Sequence, residues 1–119
     1  MPNSPQDLHK KVLGKKGEAL AEKFLKKQGL KILEKNFRTP FGEADLIASF
    51  GDEIIFIEVK TRVGDSFGLP SEGVTPQKKE RYYKIATFYG LTTKEEPNAR
   101  FDIIEVYDGK KIEWIKNAF

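Results

Sequence analysis

Glu43-Ala-Asp-Leu-Ile-Ala-Ser-Phe-Gly-Asp-Glu-Ile-Ile-Phe-Ile-Glu-Val-Lys60 reads as a β-hairpin. Both arms are rich in Ile, Val and Phe, and Gly51-Asp52 sits between them as a turn signal. A two-residue turn pairs Phe50 with Glu53, which puts Asp45 opposite Glu58 and Glu43 opposite Lys60. Side chains alternate along a strand, so Glu43, Asp45, Glu58 and Lys60 are expected on one face.

That face is costly to build for stability alone. Opposed like charges destabilise a strand pair. Here they share a face with Ile47, Ile54 and Phe56, the pattern of a surface that covers a core. Burying an unpaired carboxylate costs several kcal/mol or shifts its pKa. A hard divalent cation resolves the conflict, because Mg²⁺ is held by one or two carboxylates and keeps several waters. The hairpin therefore reads as a metal site with a lysine beside it. The bland alternative is a ribbon with a solvated acidic face and a Glu43–Lys60 ion pair.

At 119 residues the chain is expected to form one domain, 10–119, behind a flexible leader, 1–9. The absence of cysteine excludes disulfides, thiolate zinc sites and cysteine nucleophiles, and fits a reducing cytoplasm. The single histidine, His9, stands in the leader, which leaves nothing for a serine–histidine triad. The longest fully apolar run, Ile54 to Ile57, is far too short to cross a bilayer. No signal peptide is recognisable, so no membrane partner is expected. A net charge of +3 favours an anionic one.

Working outward, Lys10 to Gln28 has helical periodicity, with Leu13, Gly17, Leu20, Ala21, Phe24 and Leu25 on one face and lysines on the other. Glu18 falls at the border of the apolar face, where it can point toward the sheet or simply flank it. Leu30 to Arg38 is a first strand with imperfect alternation, and Thr39-Pro40-Phe41-Gly42 is a turn. Thr61 to Val74 is a long loop leaving the strand beside Lys60, with Phe67 near its tip. Its glycine spacing is that of a P-loop, but Val74-Thr75 follows where Lys-Ser/Thr is required, so a nucleotide cradle is rejected. Thr75-Pro76 opens a second helix that runs to about Tyr89, with Tyr82, Ile85, Ala86 and Tyr89 inward. Two strands follow, Arg100 to Tyr107 and Lys110 to Ile115, around an Asp108-Gly109 turn. The order αβββαββ predicts an α/β domain with a mixed β-sheet flanked by helices.

Asp45 followed on the next strand by Glu58-Val59-Lys60 resembles the PD-(D/E)XK signature of restriction-endonuclease-like nucleases. More closely, Gly14-Lys-Lys-Gly-Glu18, Asn36-Phe-Arg38, Gly42-Glu-Ala-Asp-Leu-Ile47, Phe56-Ile-Glu-Val-Lys-Thr-Arg62 and the Lys78 helix are similar to the YraN-like family of uncharacterised bacterial proteins. The resemblance implies a restriction-endonuclease-like core. It implies Asp45 and Glu58 as ligands of Mg²⁺ or Mn²⁺, with the Val59 carbonyl as a third. Lys60 would act on water and phosphate, and Glu18 would be the helix carboxylate supporting the metal. It also suggests likeness to Holliday junction resolvases and hence branched DNA, a step that rests on fold analogy. Lys78-x-x-x-Tyr82 departs from the Gln-x-x-x-Tyr of exonuclease members of that fold.

The expected activity is metal-dependent phosphodiester hydrolysis of nucleic acid, DNA first. Arg62, Lys78, Lys79 and Arg81 are the expected backbone-phosphate contacts. Two other readings remain open: a non-catalytic nucleic-acid-binding or protein-interaction module on a nuclease fold, and a structural homodimer formed through the edge strand near Trp114 and Ile115.

Overall fold

The computed structural model describes residues 5–63, 75–94 and 98–118. Helix α1 spans Pro5–Lys27 and is followed by β1 (Lys31–Thr39), β2 (Gly42–Phe50) and β3 (Glu53–Arg62). Helix α2 (Pro76–Thr93) leads to β4 (Asn98–Tyr107) and β5 (Lys111–Ile115). The five strands form one sheet in the order β1-β2-β3-β4-β5. Only β3 and β4 run parallel, joined through α2, and the other pairs are antiparallel. The expected element order and mixed sheet are both present.

The helices cover opposite faces. Ala21 and Leu25 of α1 pack with Leu46, Ala48, Ile55, Ile57, Ile104 and Val106. Tyr82, Ile85, Ala86 and Tyr89 of α2 pack with Ile47, Phe56 and Phe101 on the other side. Alternation along β2 and β3 sends one residue to each layer, which is why these strands read as near-continuous apolar runs. Helix α1 lies so close on the sheet at Gly17 that a Cβ there would run into Thr61 Oγ1.

Element ends differ from the sequence reading for local reasons. Helix α1 starts at Pro5, which suits a first helical turn, rather than near Lys10. Helix α2 runs through the buried Gly90 to Thr93, past the expected stop, and closes on Lys94 in a left-handed conformation at φ 61°. Strand β3 continues two residues beyond Lys60. Phe67 and most of the Thr61 to Val74 stretch lie outside the described residues.

The central hairpin has the register deduced from its turn. Phe50 pairs with Glu53, and the ladder continues to Leu46 with Ile57. There it ends, so the expected pairs Asp45–Glu58 and Glu43–Lys60 do not form. Beyond this point β2 stays with β1, where Ala44 pairs with Phe37 and Glu43 with Arg38. The alternation breaks at the same place. Leu46 faces the α1 layer and Ala44, two residues earlier, the α2 layer. Opposite the break, Asn36 is left-handed at φ 52°, a conformation asparagine tolerates better than most residues. Strand β2 therefore turns over at Asp45 and parts from β3, opening a gap in the sheet.

Candidate active site

Asp45 stands in that gap. Its Oδ2 accepts the Val59 N–H at 2.8 Å, replacing the strand partner that β3 has lost. A strand projects a residue's N–H and C=O to the same side, so the Val59 carbonyl faces the gap as well. Asp45 is mostly buried, and burial is the main reason its carboxyl is pushed up to about 6. The Val59 N–H opposes the rise. The negative charges of Glu18, Glu58 and Glu43 reinforce it, in that order. Carboxylates from α1, β2 and β3 thus lie near enough to Asp45 to disfavour its ionised form.

Glu18 reaches this point from α1, as its place on the helix border allowed. Its carboxyl is also raised, first by burial and then by Glu43, against a hydrogen bond from Asn36. With its amide turned so that Nδ2 faces the acids, Asn36 donates to Glu43 Oε1 at 2.9 Å and to Glu18 Oε1 at 3.2 Å. The left-handed Asn36 thus ties α1 to β2 behind Asp45. Glu43 also takes Arg38, at 3.5 Å, as its ion-pair partner.

Glu58 faces the α2 layer. Its Oε2 lies 2.6 Å from Lys78 Nζ. That oxygen is sealed from solvent, yet among the described residues it accepts no hydrogen bond of proper angle. The pair is close in distance and poor in direction. Lys60, two residues on, is held below the ordinary lysine range by burial first and by the neighbouring Lys78 second, while Glu58 pulls the other way. Tyr82 is buried beneath the group, and its hydroxyl is raised by burial and by Glu58 and Asp45.

The donors are all oxygen, which suits Mg²⁺ or Mn²⁺. Like charges near a half-buried gap, and a Glu58 oxygen that draws an ammonium but no directed hydrogen bond among the described residues, fit a cation there. Asp45 and Glu58 would be the residues to hold it, with the Val59 carbonyl on the same side. Among the described residues, no three of the acidic side chains form a ready-made metal cage.

The expected phosphate contacts divide. Lys78 is drawn into the site, while Lys79 and Arg81 are exposed. Arg81 lies along the β1–β2 turn, where a Cβ on Gly42 (φ 137°) would come within 2.9 Å of its Cδ. Arg62 is half-buried, with NH2 3.4 Å from the fully buried Glu105. Glu105 also accepts the Tyr107 hydroxyl at 2.5 Å. The sequence reading did not single out Asn36, Tyr82 or Glu105 as parts of a site. For Asn36 the signal was an asparagine interrupting a strand pattern. For Glu105 there was none, since its partner Arg62 lies on another strand. At the far edge, β5 is fixed by Asp102, which accepts from Arg100, Trp114 Nε1 and the Asn117 N–H.

No described helix is long and apolar enough to cross a membrane. The family model described as "Uncharacterised protein family UPF0102" matches residues 17–106, a span that holds every acidic group of the site. A UPF0102 protein of Thermodesulfovibrio yellowstonii is 52% identical over 107 residues, covering 90% of this chain and 95% of its own. One from Caldanaerobacter subterraneus is 45% identical over 119 residues, with 94% and 98% covered. One from Syntrophus aciditrophicus is 47% identical over 110 residues, with 89% and 87% covered. The chain belongs to the UPF0102 family, the YraN-like group whose motifs its sequence resembles.

Proposed function

We propose that this protein is a metal-dependent nuclease with a restriction-endonuclease-like core, hydrolysing phosphodiester bonds of DNA. One observation carries the reading. Asp45 stands half-buried in a break of the sheet, within the influence of Glu18, Glu43 and Glu58, and its carboxyl is raised to about 6. A protein retains such a cluster at a cost in stability, and perturbed acids of this kind gather at functional sites.

Asp45 and Glu58, with the Val59 carbonyl, would hold Mg²⁺ or Mn²⁺. When bound, the cation supplies Lewis-acid polarisation of a phosphodiester and a lowered pKa for water. The rest falls to the chain itself. The Val59 N–H fixes Asp45, so its carboxylate needs no reorganisation when substrate arrives. Glu18 and Glu43, tied by Asn36, would hold water on the α1 side of the gap. Lys60 presents a positive charge two residues from Glu58, placed to offset the charge that develops on phosphate. Exposed Lys79 and Arg81 bind the backbone to either side. Arg62 serves through its Glu105 pair more than through phosphate.

A second reading, a binding module without turnover, draws support from Lys78, whose ammonium already neutralises Glu58. Cleavage separates the two. Labelled single-stranded, duplex, flap and four-way-junction DNA, with RNA alongside, is incubated with Mn²⁺ or Mg²⁺. Cutting by wild type that Glu58→Ala and Lys60→Ala both lose supports the nuclease. Salt-sensitive binding without cutting supports the module.

A further inference from the structure

Lys78 does something at this site that phosphate binding does not explain. The Thr75 hydroxyl accepts the Lys78 N–H at 3.1 Å, and Pro76 opens the helix, so the first turn of α2 is fixed. That turn directs Lys78 into the protein. Its side chain is 13% exposed and that of Glu58 18%, whereas neighbouring Lys79 is exposed. Immobilising a lysine costs rotamer entropy. A lysine kept for phosphate alone would stay in solvent. The angle of the contact is equally telling. Lys78 Nζ is 2.6 Å from Glu58 Oε2, yet among the described residues that oxygen accepts no directed hydrogen bond. The ammonium fills space beside the carboxylate as a compact, non-directional cation does.

We propose that Lys78 is a tethered counter-cation that occupies the metal position at Glu58 and must leave before a divalent ion binds. It thereby sets metal affinity. The exchange also frees its ammonium, at the mouth of the site, for a phosphate of the nucleic acid. Two cations cannot share one partly buried carboxylate oxygen without strong repulsion. This inference rests on the metal reading above, and its test separates the two.

Mn²⁺ is titrated calorimetrically into wild type, Lys78→Met, Lys78→Gln, Lys79→Met and Glu58→Gln, each first checked for folding by circular dichroism. The Lys78 variants are expected to bind Mn²⁺ about tenfold or more tightly than wild type. Lys79→Met removes the same charge one residue away and is expected to change affinity by less than about twofold. Glu58→Gln should lose binding. If Mn²⁺ binds wild type and Glu58→Gln abolishes it, but the Lys78 variants bind equally or more weakly, the counter-cation is refuted and the metal site stands. If Mn²⁺ binds none of the chains, or binds Glu58→Gln like wild type, both fall.

Discussion

Asp45 acts as a stand-in for a strand: its Oδ2 holds the Val59 N–H at 2.8 Å where the backbone of β2 has left β3. The gap it spans is where the acids collect. Without that hydrogen bond, the Val59 N–H would be an orphan donor beside a core, at a cost of about 1–3 kcal/mol.

The first prediction concerns pH. The Asp45 carboxyl is raised from 3.8 to about 6 on folding. The folded state therefore holds the proton more tightly than the unfolded chain, and the stability this contributes is lost as pH rises through about 6. Asp45→Asn keeps an acceptor for Val59 and removes the charge. Without metal, the variant should melt higher than wild type at pH 7.5, by on the order of 2 kcal/mol. The difference should shrink toward pH 4. Melting curves followed by circular dichroism across that range check it, and a pH-independent difference would refute the assignment.

Gly17 sets how closely α1 lies on β3. A methyl there collides with Thr61 Oγ1. Gly17→Ala should destabilise by about 1–3 kcal/mol, and adding Thr61→Ala should recover most of the loss. Denaturant unfolding of the four chains of this double-mutant cycle measures the coupling. Additive effects would mean that the helix shifts without strain.

Asp102 is a fully buried carboxylate, satisfied by Arg100, Trp114 and Asn117. Among the described residues, Asp102→Ala leaves Arg100 with only the half-exposed Glu53 as a partner, and should cost about 3–5 kcal/mol. Trp114 is the only tryptophan, so its fluorescence should report loosening of β5 at denaturant concentrations where wild type is intact. Unchanged stability would show the buried network to be dispensable.

For nucleic acid, removing the exposed Lys79 and Arg81 should lower the salt dependence of binding. Each cation taken away from a phosphate reduces the slope of log affinity against log salt by about 0.9 on duplex DNA. Anisotropy titrations at several salt concentrations test this. A slope unaltered in the Lys79→Ala, Arg81→Ala double variant would place the DNA elsewhere.

Much of the fold was legible because local chemistry agreed with the global pattern. Gly51, with positive φ at the first turn position, sets a register that the hairpin keeps as far as Leu46 and Ile57. The inner stripe Tyr82, Ile85, Ala86 and Tyr89 is buried as its spacing indicated. Simple alternation failed at Asp45, because it assumes an unbroken strand and Asn36 breaks the neighbouring one. The Lys78–Glu58 pair was invisible for another reason. It depends on how α2 docks on the sheet, which no spacing within either element records. Glu105 and Asp102 were equally silent. A carboxylate in a strand reads as a solvent-facing position until its arginine is seen beside it.

The most direct measurement is the melting temperature of wild type and Asp45→Asn with and without millimolar Mn²⁺ or Mg²⁺, at pH 7.5. A ligand that binds only the folded state stabilises by about 2.7 kcal/mol at a hundred times its dissociation constant. A divalent site at Asp45 and Glu58 predicts that the ion raises wild type by several degrees and leaves Asp45→Asn unmoved, so that the variant's advantage without metal disappears. An equal rise in both chains, or none in either, would contradict the site.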